Sequence, residues 1–387
     1  MQADTSETLL LIGLLLLCAV ATARLAARVR LPAITGHLLA GLGVGALFRA
    51  EVSTSEPFLS TVKLGAGAVV LFWIGAQVSV ARVRLHARAM TSSAGAAVAS
   101  VVACALVLFA LVPSSGGSWA ELVVVALVLS TTSPTVIAIL THEQGDAGPL
   151  AQVALDSAVL TNAAIALLVV VTLGFGAPGV GGLWSLAGDV AAGLAVGGAV
   201  GVLVGLGSPT IPAAMHLACA ALAFFALRLE LRGAEVPIVA GALLAGVVVG
   251  TSERGASVSR AVAPSMPVAS AVLFAVSGVL ADVSVVAAVA APAVLIVLVR
   301  AASLWAGAKL VGVLDHDALR GRFAFAPLLP QAGFSLALAT VLTATGVAGA
   351  PAALVLAVLA INELVMPPVL RRALRSPTTT PDEPAST

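Results

Sequence analysis

The apolar run from Trp119 to Leu140 is long enough to cross a bilayer, yet Ser130-Thr131-Thr132-Ser133-Pro134-Thr135 stands in its middle. Pro134 has no N–H to give, and its ring collides with the carbonyl four residues back. The run is therefore predicted to break near Ser130–Ser133. In lipid, freed backbone groups persist only where protein or a water-filled cavity satisfies them. A second defect of the same kind, Leu329-Pro330-Gln331-Ala332-Gly333-Phe334, lies inside the run Phe323–Thr345. One interrupted span in each half of a chain is a pointer to the binding site of a secondary transporter.

The rest of the chain agrees with a membrane setting. Only 10% of its 387 residues are charged against 60% hydrophobic, and the mean hydropathy is +1.12. A soluble domain carries about 25% charged residues. At roughly 20 apolar residues per span, thirteen segments emerge, near 8–28, 31–48, 61–80, 89–112, 119–140, 150–175, 183–206, 211–229, 235–250, 261–281, 285–313, 323–345 and 350–370. The expected fold is an all-α polytopic membrane protein. With the N-terminus outside, fourteen of the 19 Lys and Arg fall on the inner side and four on the outer, a positive-inside bias that puts the C-terminus in the cytoplasm. Asp4 and Glu7 precede the first apolar core and Arg24, Arg28 and Arg30 follow it, the reverse of a secretory signal, so the first span is expected to be retained. The tail 376–387, rich in Pro and Thr, is too short and polar to fold.

The interrupted segments are the fifth and the twelfth. An offset of seven makes them cross in opposite directions, as inverted repeats require. Glycines recur every four residues at Gly193, Gly197, Gly201 and Gly205, and more briefly at Gly41 with Gly45 and Gly246 with Gly250, stripes that suit close helix packing.

Charged residues deep in a span are costly and mark function by default. Three qualify: Asp156, Arg300 and Glu363, with Thr161, Asn162, Gln331 and Asn362 as uncharged neighbours. Arg300 and Glu363 have two readings, a permanent tie between helices or a titrating pair. Asp156 also has two, an exchangeable carboxylate or a group hydrated from the cytoplasm. Asn162 reads as a ligand or as hydrogen-bond glue. His37 reads as a packed, satisfied side chain, Glu121, Asp189 and Asp282 as solvated groups near span ends, and Cys18, Cys104 and Cys219 as small buried hydrophobes. A carboxylate at depth can hold either a proton or a small cation, because desolvation raises its pKa and a cation lowers it. Backbone and hydroxyl groups of Thr131, Thr132, Ser133, Pro134 and Thr135, with Gln331, are the expected ligands at the two breaks. No metal cluster, phosphate loop or nucleophile triad points to an enzyme, a cofactor or nucleic acid.

Six stretches together resemble the monovalent cation:proton antiporter superfamily, in its bacterial sodium/hydrogen exchanger and potassium-efflux branch. They are Leu31-Pro32-Ala33-Ile34-Thr35-Gly36-His37-Leu38-Leu39-Ala40-Gly41, Leu71-Phe72-Trp73-Ile74-Gly75-Ala76-Gln77-Val78, Thr132-Ser133-Pro134-Thr135, Gly148-Pro149-Leu150, Pro330-Gln331-Ala332-Gly333, and Asn362-Glu363-Leu364-Val365-Met366-Pro367. The resemblance implies a sodium/proton antiporter-like fold of inverted repeats with two discontinuous crossing helices. It implies scaffold helices near 8–80 and 211–281, core helices near 89–175 and 285–370, a linker helix at 183–206 and a homodimer. The activity implied is exchange of Na+ or K+ for protons by alternating access. Two departures stand out: Gln77 replaces a usual acid, and the place of the ion-binding Asp falls at Asn162, preceded by Thr161. Asn cannot exchange a proton, so either Asp156 or Glu363 takes over the charge or the protein does not couple to protons as the family does, with Arg300 in the place of a basic residue of the family. Two other readings are a sodium-coupled organic-solute symporter on the same fold and a transport-inactive membrane protein derived from an antiporter.

Overall fold

The computed structural model describes residues 5–29, 31, 33–78, 80–111, 119–134, 136–137, 149–176, 180–206, 235–281, 283–315, 325, 328–331, 335, 338 and 350–375, some of them, Glu363 included, through their backbone only. The eighth predicted segment, Cys219, Asp282, Thr135 and the tail 376–387 lie outside the described residues. So does most of the twelfth segment.

Every described element is helical. In order they are α1 (Thr5–Arg28), α2 (Ala33–Leu47), α3 (Arg49–Ala76), α4 (Val80–Leu111), α5 (Trp119–Leu129), α6 (Pro149–Gly176), α7 (Val180–Leu206), α8 (Glu235–Thr251), α9 (Gly255–Val262), α10 (Met266–Leu280), α11 (Val283–Ala288), α12 (Ala290–Asp315) and α13 (Ala350–Arg375). Five described stretches are long and apolar enough to span a bilayer, from Leu10–Arg28 to Ala290–Val311, and six shorter apolar helices accompany them. Large side chains such as Leu17, Leu106, Leu203 and Leu298 stand exposed, as lipid-facing residues do, while the buried hydrophobics are mostly Ala, Val, Leu and Ile.

Two groups of helices share the contacts. In one, α8 lies between α3 and α7, and α10 lies against α2 and α3 with α1 on α2. In the other, α4 packs on α12, α5 and α6 pack together and on α4, and α13 packs on α12. The groups meet where α6 touches α3, α7 and α8, and where α13 touches α2.

Glycine brings the first group to backbone contact. A Cβ on Gly41 would collide with the Ala275 carbonyl, one on Gly75 with that of Leu243, one on Gly246 with that of Phe72, and one on Gly197 with that of Gly241. The glycine stripes thus serve packing inside the chain, with α8 pressed between two neighbours.

The observed bounds depart from the predicted ones at four main places, the first being the start of α4 at Val80 instead of near 89. Helix α3 begins at Arg49 instead of near 61, because Val52, Ser55 and Leu59 bury one face of a stretch whose average hydropathy is low. The tenth segment starts earlier, at Gly255, and is split by a 3₁₀ turn at Ala263–Ser265, where Pro264 and Pro267 withdraw backbone donors. The eleventh is split between Ala288 and Ala290, just before Pro292. His37 is buried as expected, but its Nδ1 has no hydrogen-bond partner among the described residues, so it is packed without being satisfied. Cys104 is buried, whereas Cys18 is half-buried, and Glu121 is half-buried too.

Gly246→Val is expected to destabilise the detergent-solubilised protein by about 1–3 kcal/mol, the range of an overpacked contact. Gly43→Val should leave its melting temperature unchanged, because nothing lies within 4 Å of the added carbon. Equal melting of the two variants would contradict the backbone-contact account.

Candidate functional site

Helix α5 stops at Leu129, and its last turn tightens: the Ser130 N–H reaches Leu127 O at 3.1 Å and the Thr131 N–H reaches Val128 O at 3.2 Å. Thr132 and Ser133 then leave the helix. The chain turns helical again at Pro134, with the Ser133 hydroxyl accepting from the Val136 N–H at 3.2 Å. Ser133 is an N-cap and Pro134 the first helical residue, the position where a missing N–H costs nothing. The proline therefore restarts the helix instead of kinking it.

A break inside a membrane leaves donors and acceptors that water would otherwise satisfy. Here they find protein partners. The Ser133 N–H donates to Pro330 O at 2.8 Å, which joins the first break directly to the second. Asn162 on α6 takes both backbone groups of Thr132: its Oδ1 accepts from the Thr132 N–H at 3.0 Å, and its Nδ2 donates to Thr132 O at 2.6 Å. Gln331 Nε2 donates to Leu129 O at 2.5 Å, and Asn362 Nδ2 donates to Gln331 Oε1. Thr131 Oγ1 meets Ser335 Oγ at 2.5 Å, and Thr132 Oγ1 donates to Leu328 O at 3.2 Å.

Arg300 stands at the centre, its side chain 1% exposed. Nη1 donates to Leu329 O at 2.6 Å, while Nη2 donates to Thr131 O at 2.8 Å and to Leu328 O at 2.7 Å. One guanidinium thus binds carbonyls of both breaks. The end of α5 carries the negative pole of its helix dipole, so the cation is placed where such an end favours positive charge. Its Nε has no partner among the described residues, and neither does Asn362 Oδ1.

Seven of the residues singled out in the sequence meet here: Thr131, Thr132, Ser133, Asn162, Arg300, Gln331 and Asn362. Pro134 is buried beside them. Asp156 is 5% exposed on α6, six residues and so about 9 Å of helical rise before Asn162. Thr161 is half-buried. The side chain of Glu363 and all of Thr135 lie outside the described residues, and the described hydrogen bonds of Arg300 run to backbone carbonyls. The carbonyls of Leu129, Thr131, Thr132, Leu328, Leu329 and Pro330 each already accept a bond from the protein.

Three further residues belong to the site. Ser100 on α4 donates to Ser130 Oγ at 3.2 Å, the Cys104 thiol lies against the same two serines, and Ser335 meets Thr131. Ser157 follows Asp156, and its buried hydroxyl has no partner among the described residues. Ser100 and Cys104 are four residues apart on one helical face, a signal available in the sequence but weak without knowing that α4 crosses the break.

The family profile described as "Sodium/hydrogen exchanger, transmembrane" matches residues 12–372. Among solved structures, the chain is similar to the sodium proton antiporter MjNhaP1 from Methanocaldococcus jannaschii at pH 8. The TM-score is 0.66 at 12% identity, over 95% of this chain and 97% of that one, a likeness of fold. No curated protein matches the sequence.

Removing the guanidinium orphans the buried carbonyls of Thr131 and Leu329, each worth about 1–3 kcal/mol when left unsatisfied, and leaves Leu328 O with its bond from Thr132 alone. Arg300→Ala should therefore lower stability by about 3 kcal/mol or more in thermal unfolding of the solubilised protein. Arg300→Lys should recover only part of it, because an ammonium lacks the planar fork. Wild-type melting of Arg300→Ala would show that the guanidinium does not hold the breaks together.

Proposed function

Because the chain belongs to the sodium/hydrogen exchanger family, we propose that it exchanges a monovalent cation, Na+ or K+, for protons across a cell membrane by alternating access. The observation that carries this reading is the crossing itself. Two interrupted segments touch through the Ser133 N–H and Pro330 O, with Arg300 buried between them and Asp156 on the adjoining helix.

In this reading Asp156 is the exchangeable group. A carboxylate in a low-dielectric site is driven toward its neutral form, and it becomes neutral by taking a proton or by pairing with a cation. The two ligands exclude each other, which is the requirement of exchange. Glu363, in the matching place after the second break, is the second candidate. Arg300 supplies a fixed positive charge that is engaged with carbonyls in either state. Thr161 and Ser157 present hydroxyls on the helix that carries Asp156.

The grouping of helices supports a division of labour. The group α4, α5, α6, α12 and α13 holds the crossing and would move. The group α1, α2, α3, α8 and α10 would stay and form the homodimer, and the face between α6 and α3 with α8 would be the sliding surface. The distribution of Lys and Arg supports an N-terminus outside and a C-terminus in the cytoplasm.

The test is a pH gradient across proteoliposomes with a fluorescent reporter. Adding Na+ or K+ should dissipate the gradient for the wild type, and Asp156→Asn should reduce the response to background. Full exchange by an Asp156→Asn, Glu363→Gln double variant would overturn the residue assignment. Absence of flux for Na+, K+ and Li+ in the folded wild type would overturn exchange itself in favour of a transport-inactive protein.

A further inference from the structure

Asn162 stands where the resemblance places an ion-binding Asp, yet it makes two bonds that an ionised Asp could not make together. A backbone N–H must point at an oxygen, so the 3.0 Å bond from Thr132 N fixes Oδ1, and the 2.6 Å bond to Thr132 O then fixes Nδ2 as donor. A carboxylate has acceptors only. It could receive the Thr132 N–H but would set an anionic oxygen against Thr132 O. A protonated carboxyl has one carbonyl oxygen and one O–H, and it would reproduce the amide's pattern in full.

We infer that Asn162 is a positioning residue that permanently does the work of a protonated carboxyl, splicing the first break so that it neither opens nor closes with pH. The inference rests on the exchange reading and adds to it that position 162 contributes no proton sensitivity to the first break. The amide replaces, at both backbone groups of one residue, the helical partners that Thr132 lost when α5 ended. It is completely buried, with 0% exposure, so no water competes for either bond.

The surroundings decide how an acid at 162 would behave. Arg300 of α12 holds the neighbouring Thr131 carbonyl, the Cys104 thiol of α4 lies beside Ser130, and Asp156 precedes on the same helix. Other charges on helices packed against α6 are Glu121 on α5, Arg82, Arg84 and Arg88 on α4, Arg49, Glu51, Glu56 and Lys63 on α3, Asp189 on α7 and Glu235 on α8, and α13 carries Glu363, Arg371, Arg372 and Arg375. Arg300 bonds the Thr131 carbonyl next to Thr132 and leaves the Thr132 carbonyl to position 162. An ionised group there would face that carbonyl directly.

The experiment compares wild type with Asn162→Asp and Asn162→Leu, all full-length in detergent at fixed ionic strength. Asn162→Asp should melt with the wild type near pH 5 and fall about 3 °C or more below it near pH 9, the size of shift that losing one buried bond gives. Asn162→Leu, which offers neither donor nor acceptor, should lie below the wild type by the same margin at both pH values. An Asn162→Asp deficit that does not change with pH, or a wild-type-like Asn162→Leu, would overturn the inference.

Hydrogen exchange on the wild type tests the same point if either variant fails to fold. After correction for the intrinsic rate, the Thr132 amide should be equally protected at pH 6 and pH 8, and loss of protection with pH would overturn the splice. None of these readings needs transport. Wild-type protein without flux and with a pH-sensitive Asn162→Asp would sink exchange and keep the splice, and flux with a pH-flat variant would do the reverse.

Discussion

The structure depends on a guanidinium bound to the loose ends of two helices. Breaking a helix inside a membrane exposes carbonyls that lipid cannot solvate, and burying an arginine strands a charge that lipid cannot solvate either. Each defect resolves the other. Arg300 reaches Thr131, Leu328 and Leu329 at 2.6–2.8 Å, and the breaks gain a fixed cross-brace. Ser133 to Pro330 and Gln331 to Leu129 tie the same two strands of chain without charge. Position in the chain is irrelevant to this brace: Thr131 and Leu328 meet because one side chain requires both.

This economy of partners changes what the polar groups of the break are for. Hydroxyls and carbonyls in an interrupted span invite a reading as ion ligands. In this chain the carbonyls from Leu129 to Thr132 and from Leu328 to Pro330 that carry described bonds are held by Arg300, Asn162, Gln331, Ser133 and Thr132. A cation seated on them would share oxygens that already accept from a protein donor. On α6 the buried Ser157 hydroxyl, beside Asp156, has no described partner.

Much of this was legible in the sequence because the defects are chemical. A proline among hydroxyls inside Trp119–Leu140 has one consequence for a helix, and the break falls between Leu129 and Pro134. Deep Arg300, Asn162 and Gln331 stood out by the same reasoning. What the sequence hid is partnership. Nothing in the spacing of Asn162 and Thr132 says that an amide will take both backbone groups of one residue. Ser100 and Cys104 looked like ordinary small residues until α4 was seen beside Ser130. The start of α3 was hidden for another reason: residues 49–60 are too polar on average, and only their pattern of Val52, Ser55 and Leu59 reveals a buried face.

The glycine contacts of α8 have a mechanical consequence. Where Gly246 meets Phe72, Gly75 meets Leu243 and Gly197 meets Gly241, no side chains stand between the helices to rearrange. Three helices joined in this way behave as a laminate, with no compliant layer to absorb shear. In the exchange reading, the laminate would be the keel, and relative displacement would fall at other joints, such as the one along α6.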